Sequence, residues 1–144
     1  MLISTIISEK GGNVVTITED RSVSDAVRLL AEHGIGAVVV SSDGRRVDGI
    51  LSERDIVRRL VDDPDTLHRT VGDLMTRDVF TCTRDDVVLK IMVTMSEHRF
   101  RHMPVVDASG NLTAIVSIGD VVKCRMSELE EQWRQLQEYM ASGR

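Results

Sequence analysis

Hydrophobic residues follow two spacings along this chain, and each spacing predicts one kind of element. Short β-branched runs bounded by turn residues predict strands, whereas hydrophobic positions three and four apart predict helices that bury one side. In the first half, the predicted elements are a strand at 14–17, a helix with the stripe Val23, Ala26, Val27 and Leu30, strands at 37–40 and 49–51 around the turn Asp43-Gly44, and a helix with Ile56, Val57, Leu60 and Val61.

The second half repeats this pattern 65 residues later, so that Asp55 aligns with Asp120. A unit of this size buries its hydrophobic side against its twin. We therefore expect an α/β fold of the α+β type, with two β-α-β-β-α repeats related by pseudo-twofold symmetry. The second set of predicted elements is a strand at 79–81, a helix with Val88, Ile91, Met92 and Met95, strands at 103–106 and 114–116 around Ser109-Gly110, and a helix that begins after Ser117.

The repeats divide the chain into four predicted segments. These are a first repeat at 1–65, a linker at 66–77 with a short helical turn at 71–75, a second repeat at 78–123, and an amphipathic helical extension at 124–144. Spacings of four and three in the extension are typical of a coiled-coil seam, although a helix folded back on its own domain explains them equally well. The seam residues are Val122, Met126, Leu129, Trp133, Leu136 and Met140.

Composition and charge argue against several classes of protein. A net charge of −5 and 3% aromatic residues do not suit a nucleic-acid binder, which usually has a basic face and a base-stacking platform. No stretch approaches the roughly 20 hydrophobic residues of a membrane span, and the opening segment lacks the basic start of a signal peptide. Cys82 and Cys124 lack the spacing of zinc ligands, and no GxSxG or HExxH motif is present. We therefore expect a cytoplasmic protein with no catalytic activity, metal or membrane contact.

Four motifs at fixed places in the repeat carry a resemblance to a known family. They are Gly49-Ile-Leu-Ser-Glu-Arg-Asp55, its partner Ala114-Ile-Val-Ser-Ile-Gly-Asp120, His102-Met-Pro-Val105 and the linker stretch Val71-Gly-Asp-Leu-Met-Thr76. Together with the order of elements, they resemble the CBS domain, named after cystathionine β-synthase, in its usual tandem pair. The resemblance covers roughly residues 1–123, and with no catalytic, channel or transporter domain beside it the chain looks like a stand-alone pair.

The resemblance implies a ligand-sensing regulatory module that requires no cofactor. CBS pairs typically bind adenosyl ligands such as AMP, ADP, ATP, NAD or S-adenosylmethionine in clefts between the two copies, and they commonly dimerise. The expected partners are therefore an adenine nucleotide, a second copy of the chain and an unidentified regulated protein. The alternative is a structural dimerisation or partner-docking module with no physiological ligand.

The resemblance also assigns candidate ligand-binding residues. The family's Ser/Thr-x-x-Asp motif supplies a carboxylate that can accept both ribose hydroxyls beside the free N–H groups of a helix N-terminus. Its basic residues before the proline suit phosphate, because a guanidinium is always charged and has a planar fork of donors. The candidates are Ser117, Asp120, Arg101, His102 and Arg99 in the second copy, and Ser52, Asp55, Arg54 and Lys10 for the first.

The two sites are expected to be unequal, and a simpler reading of each motif stays open. The first copy has Gly36-Ala37-Val38-Val39 where the second has its basic pair, so the site of Asp120 is expected to be the stronger one. Ser-x-x-Asp before a helix is also an ordinary capping pattern. Arg99 and Arg101 also fit the description of solvated loop charges.

Overall fold

The computed structural model describes residues 1–143, in which helices alternate with short strands. The elements in chain order are α1 (Ile3–Lys10), β1 (Thr16–Ile17), α2 (Val23–His33), β2 (Ala37–Val40), β3 (Gly49–Ser52), α3 (Glu53–Asp62), a 3₁₀ turn (Thr66–His68), α4 (Val71–Leu74), α5 (Val88–His98), β4 (His102–Val106), β5 (Leu112–Ser117) and α6 (Ile118–Ala141). The mixed helix and strand fold in two similar halves confirms the predicted class.

Each half is built on an antiparallel hairpin. β2 pairs with β3 so that Val39 faces Ile50, and β4 pairs with β5 so that Pro104 faces Ile115. All four residues of β2 are buried, as the continuous run of hydrophobic residues predicts. The parallel strand β1 pairs with β2 and completes a sheet of three strands in the first half.

The strand predicted at 79–81 is wrong. In its place the backbone of Cys82 makes a single parallel bridge to Val105, donating to the Pro104 carbonyl at 3.1 Å and accepting from the Val106 N–H at 2.8 Å. The preceding residues are held differently, because the N–H of Val79 donates back to the Arg77 carbonyl at 3.1 Å and forms a tight turn. This turn directs Val79 into a cleft between the halves instead of into the sheet.

Helix α1 was not anticipated from the sequence, and it packs on the half of the molecule that is distant in sequence. Its side chains Ile3 and Ile6 are buried with residues of α5, β4, β5 and α6. The members of this second core are Ile3, Ile6, Cys82, Val88, Ile91, Met95, Met103, Val105, Ala114, Val116, Val121 and Cys124.

Helix α4 packs on the first half of the molecule. It belongs to the predicted linker, but it completes the core of that half. Val71 and Met75 are buried against residues of α2, β2, β3 and α3. Gly49 permits this approach, because a Cβ at that position would lie 2.8 Å from the Met75 sulfur. Each core therefore includes residues from outside the repeat to which most of its members belong. The repeat boundaries themselves remain a prediction.

The end of α6 projects away from the fold. Val121 and Cys124 are its buried residues, whereas the side chains from 129 to 141 are exposed and Trp133 is 61% exposed. The interpretation in which this helix folds back on its own domain is therefore wrong. The interpretation that is left is a coiled-coil seam of hydrophobic residues along the exposed face of the helix. Within residues 1–143, no helix has the length and hydrophobicity needed to cross a membrane.

Candidate functional site

A cleft of about 360 Å³ lies where the two halves meet. From the first half, the end of β3 and the start of α3 contribute Ser52 and Asp55. From the second half, the walls are the 76–80 segment and the connection from α5 to β4, at 98–102. Six of the nine residues predicted from sequence line this one cleft, namely Ser52, Arg54, Asp55, Arg99, Arg101 and His102.

The Asp55 carboxylate caps α3 and keeps acceptor capacity to spare. The Asp55 N–H donates to the Ser52 hydroxyl at 3.2 Å, and the Ser52 N–H donates to Oδ2 of Asp55 at 3.0 Å. The capping interpretation of this motif is therefore correct as geometry. It does not exclude a ligand, because one bond from an N–H leaves most of the lone pairs of a carboxylate free. Along residues 1–143, Asp55 has no cationic partner.

Four arginines line the same cleft as this carboxylate, two from each half of the molecule. Arg54 and Arg58 stand one turn apart on α3, and Arg99 and Arg101 lie on the opposite wall. In the part of the chain that the structure describes, none of the four belongs to an ion pair. Unpaired guanidinium groups on a concave surface favour a ligand that carries phosphate.

Aromatic rings form one end of the cleft. Phe80 stacks on Phe100 with ring centres 5.1 Å apart, and the ring of His98 lies 4.5 Å from that of Phe80. Phe80 is 46% exposed, so part of its ring is available to a flat ligand. These three residues and Arg58 were not predicted from the sequence. For His98 and Phe100 the signal is the alternation of aromatic and basic residues from 98 to 102, whereas Phe80 and Arg58 lie outside that stretch.

His102 lies at the centre of the molecule, between the two halves. A Cβ on Gly36 would come within 3.2 Å of its ring, so this glycine makes room for the imidazole. Burial, and next the positive charge of Lys10, lower the pKa of His102 below its usual range. The imidazole is therefore neutral near pH 7 and offers a ligand hydrogen bonds in place of a fixed charge.

The second motif has a different environment. Ser117 and Asp120 form the same capping box, but Nζ of Lys10 donates to Oδ2 of Asp120 at 2.7 Å and to the Ile115 carbonyl at 3.1 Å. Burial alone would raise the pKa of the Asp120 carboxyl, but the hydrogen bonds from Lys10 and Ser117 outweigh it, and the pKa is lowered. Asp120 is thus an ionised carboxylate that already has a cation.

Two sets of residues that were expected to share a site do not do so in the structure. Arg101 and His102 line the cleft of Asp55, not the smaller hollow of about 220 Å³ beside Asp120. Lys10 lies in that hollow, away from Asp55. The reason is the pseudo-twofold arrangement, which turns the loop of one half toward the helix N-terminus of the other. The arginines that could hold phosphate therefore line the cleft of Asp55.

Comparison with known proteins places this fold in a family. The CBS domain family model matches residues 4–62 and 71–127. The chain is 35% identical, over 98% of its length, to the mitochondrial CBS domain-containing protein CBSX3 of Arabidopsis thaliana. It spans 72% of that protein, and two thirds or less of several other curated relatives.

Solved structures agree with this assignment. A CBS-domain containing protein from Agrobacterium tumefaciens superposes with a TM-score of 0.82 at 39% identity, over 87% of this chain and 99% of that one. A CBS domain protein from Pyrobaculum aerophilum, complexed with AMP, superposes with a TM-score of 0.75 at 25% identity, over 83% of this chain and 89% of that one. With both of its repeats matched, this chain belongs to the CBS domain family as a tandem CBS pair.

Proposed function

We propose that this chain is a ligand-sensing regulatory module that binds an adenine nucleotide in the cleft beside Asp55. The observation that carries the proposal is that three kinds of group line one cleft. They are a carboxylate that caps a helix, an aromatic stack, and arginines that form no ion pair within residues 1–143. These are the groups that ribose hydroxyls, a purine ring and phosphate each require. The AMP complex of the Pyrobaculum aerophilum protein supports the same class of ligand.

The placement of the cleft suggests how binding is converted into a signal. Asp55 and Arg54 belong to the first half, whereas Arg101 and Phe80 belong to the second. A nucleotide held by both walls favours one arrangement of the halves over others, provided that its affinity differs between them. In this proposal the chain carries out no chemistry on the nucleotide, and an unidentified regulated protein responds to the arrangement.

Ligand binding can be tested by a thermal-shift screen with AMP, ADP, ATP, NAD and S-adenosylmethionine, followed by calorimetric titration. A ligand at about 100 times its Kd adds about 2.7 kcal/mol to the free energy of unfolding. Asp55→Asn removes the charge of the cleft carboxylate and is expected to weaken binding about 10- to 100-fold.

The matched control for this variant is Asp73→Asn. Asp73 closes an equivalent capping box with Thr70 at the start of α4, and it lies outside the cleft. Both variants weaken a helix cap, so only a loss of binding that is specific to Asp55→Asn supports the proposal. Failure of all five ligands at millimolar concentration would leave the alternative, a structural dimerisation module.

We further propose that the chain forms a homodimer through α3 and α6. Val57 and Val61 on α3 are 62% and 81% exposed, and the seam of α6 is exposed from Met126 onward. Exposed hydrophobic faces on helices are typical of a protein interface. A cytoplasmic location completes the proposal, since the thiols of Cys82 and Cys124 are both free and both buried.

A further inference from the structure

Arg99 adopts a backbone conformation that its residue type avoids. It ends α5 with φ 59° and ψ 42°, in the left-handed region, and among residues 1–143 it is the one residue other than glycine with positive φ. The aligned residue of the first repeat, Gly34, ends α2 with φ 61° and ψ 38°. The fold thus requires this conformation twice, and glycine adopts it without the steric cost that a side chain brings.

No ion pair along residues 1–143 compensates for this cost. The side chain of Arg99 is exposed and takes part in none of the ion pairs that the structure shows along residues 1–143. It does, however, line the cleft that contains Asp55. A larger residue kept at a left-handed position that glycine would occupy without strain is characteristic of a residue that acts on a ligand.

The number of arginines indicates which ligand this is. Arg54, Arg58, Arg99 and Arg101 all line the cleft, and along residues 1–143 none of them forms an ion pair, although the carboxylates Glu53, Asp55 and Asp78 are also on its walls. One or two guanidinium groups match a single phosphate, since each can bind it through two parallel hydrogen bonds. Four guanidinium groups outnumber the three carboxylates on the walls and favour a ligand with more than one phosphate, whereas the sulfonium of S-adenosylmethionine brings a further positive charge.

We infer that the cleft selects an adenosine di- or triphosphate, and that Arg99 contacts the phosphates beyond the first. This inference rests on the proposed function, because it assumes that adenosine occupies the same cleft. Arg99 is a specificity-determining residue in this arrangement: it distinguishes ADP and ATP from AMP, while Asp55 and the aromatic stack bind the part that all three share.

The test is Arg99→Gly, which restores the residue that the first repeat has at this place. Removing the strain is expected to raise the Tm, and removing the guanidinium is expected to weaken ADP and ATP about tenfold or more. Adenosine and AMP should change less than about twofold. Arg99→Lys serves as a second variant, because it keeps the charge and should retain most of the ATP affinity if charge is what the phosphates require.

Three results would overturn the inference: wild-type protein that binds AMP as tightly as ATP, equal losses for all ligands in Arg99→Gly, or a Tm that falls in that variant. Failure of the proposed function looks different, since adenosine, AMP, ADP and ATP would then all fail to bind the wild type. A variant that binds adenosine normally but has lost its preference for ATP supports both proposals at once.

Discussion

Lys10 and Asp120 form a 2.7 Å ion pair, although 110 residues separate them in the sequence. The pair joins the C-terminal end of α1 to the N-terminal end of α6. It makes the two aspartates of the repeat chemically different, because within residues 1–143 Asp55 has no equivalent cation. A ribose at Asp120 would have to displace an ammonium group that already holds the carboxylate.

Replacing Lys10 with Met should therefore uncover a second site. The pair is partly exposed, and such pairs contribute only about 0.2–1 kcal/mol, so the fold should be retained. Calorimetric titration with adenosine should give one site per chain for the wild type and a second, weaker site for Lys10→Met. Two sites in the wild type would show that Lys10 does not block Asp120.

The same asymmetry ranks the two aspartates. Asp55→Asn should reduce nucleotide affinity about 10- to 100-fold, whereas Asp120→Asn should leave it within about twofold. The reason is that the four arginines line the cleft of Asp55 and none of them lines the hollow beside Asp120. Titration of both variants with AMP measures the difference, and a larger loss in Asp120→Asn would reverse the ranking.

Most residues of this site could be predicted from the sequence, but the ranking of Asp55 above Asp120 could not. The capping boxes of Ser52 and Ser117 were predictable, because they depend on residues three apart on one helix. The position of Arg101 opposite Asp55 depends on how one half docks against the other, which no local pattern records. Helix α1 was overlooked although its isoleucines at 3, 6 and 7 have helical spacing. Eight residues give too weak a pattern when the stabilising partners lie far along the chain.

Arg101→Ala separates phosphate binding from nucleoside binding. If its guanidinium contacts the first phosphate, the affinity for AMP should fall about tenfold and that for adenosine should stay nearly unchanged. Titration with both ligands gives the ratio. Equal losses would show that the variant disturbs the aromatic end of the cleft instead.

His102 should make the protein less stable in mild acid. Its folded-state pKa lies below the ordinary 6.5, so below that pH the unfolded chain binds more protons than the folded one. Stability is then fully present above about pH 6.5 and is lost as the pH falls from there toward the folded-state pKa. The groups around the imidazole are Lys10, Glu53, Asp120 and Arg101.

His102→Gln provides the comparison, because glutamine keeps hydrogen-bonding capacity but does not titrate. Denaturant unfolding at pH 7.5 and pH 5.5 should show a larger loss of stability in the wild type than in the variant. Identical losses in the two proteins would remove His102 as the cause.

The projecting part of α6 should strengthen a dimer without being its main contact. The whole helix spans about 36 Å, and coiled coils of so few heptads are marginal alone. Trp133→Ala, or a stop after Ser127, should raise the dimer dissociation constant and leave nucleotide binding unchanged. Analytical ultracentrifugation checks this expectation. A monomeric wild type would contradict the dimer, and an unchanged constant would indicate that the seam serves another partner.

Helix α1 is synthesised well before the side chains that bury it. Residues 3–10 pack against a core drawn from 82–124, and at roughly 5–20 residues per second α1 waits on the order of ten seconds for that core to emerge. The other core, drawn from 17–75, can assemble in the meantime. If the chain were cut before α4, the N-terminal fragment would lack α4 and the C-terminal fragment would lack α1. A segment that is made well before its core is thus among the last to find its place, and it ties the start of the first half to the second.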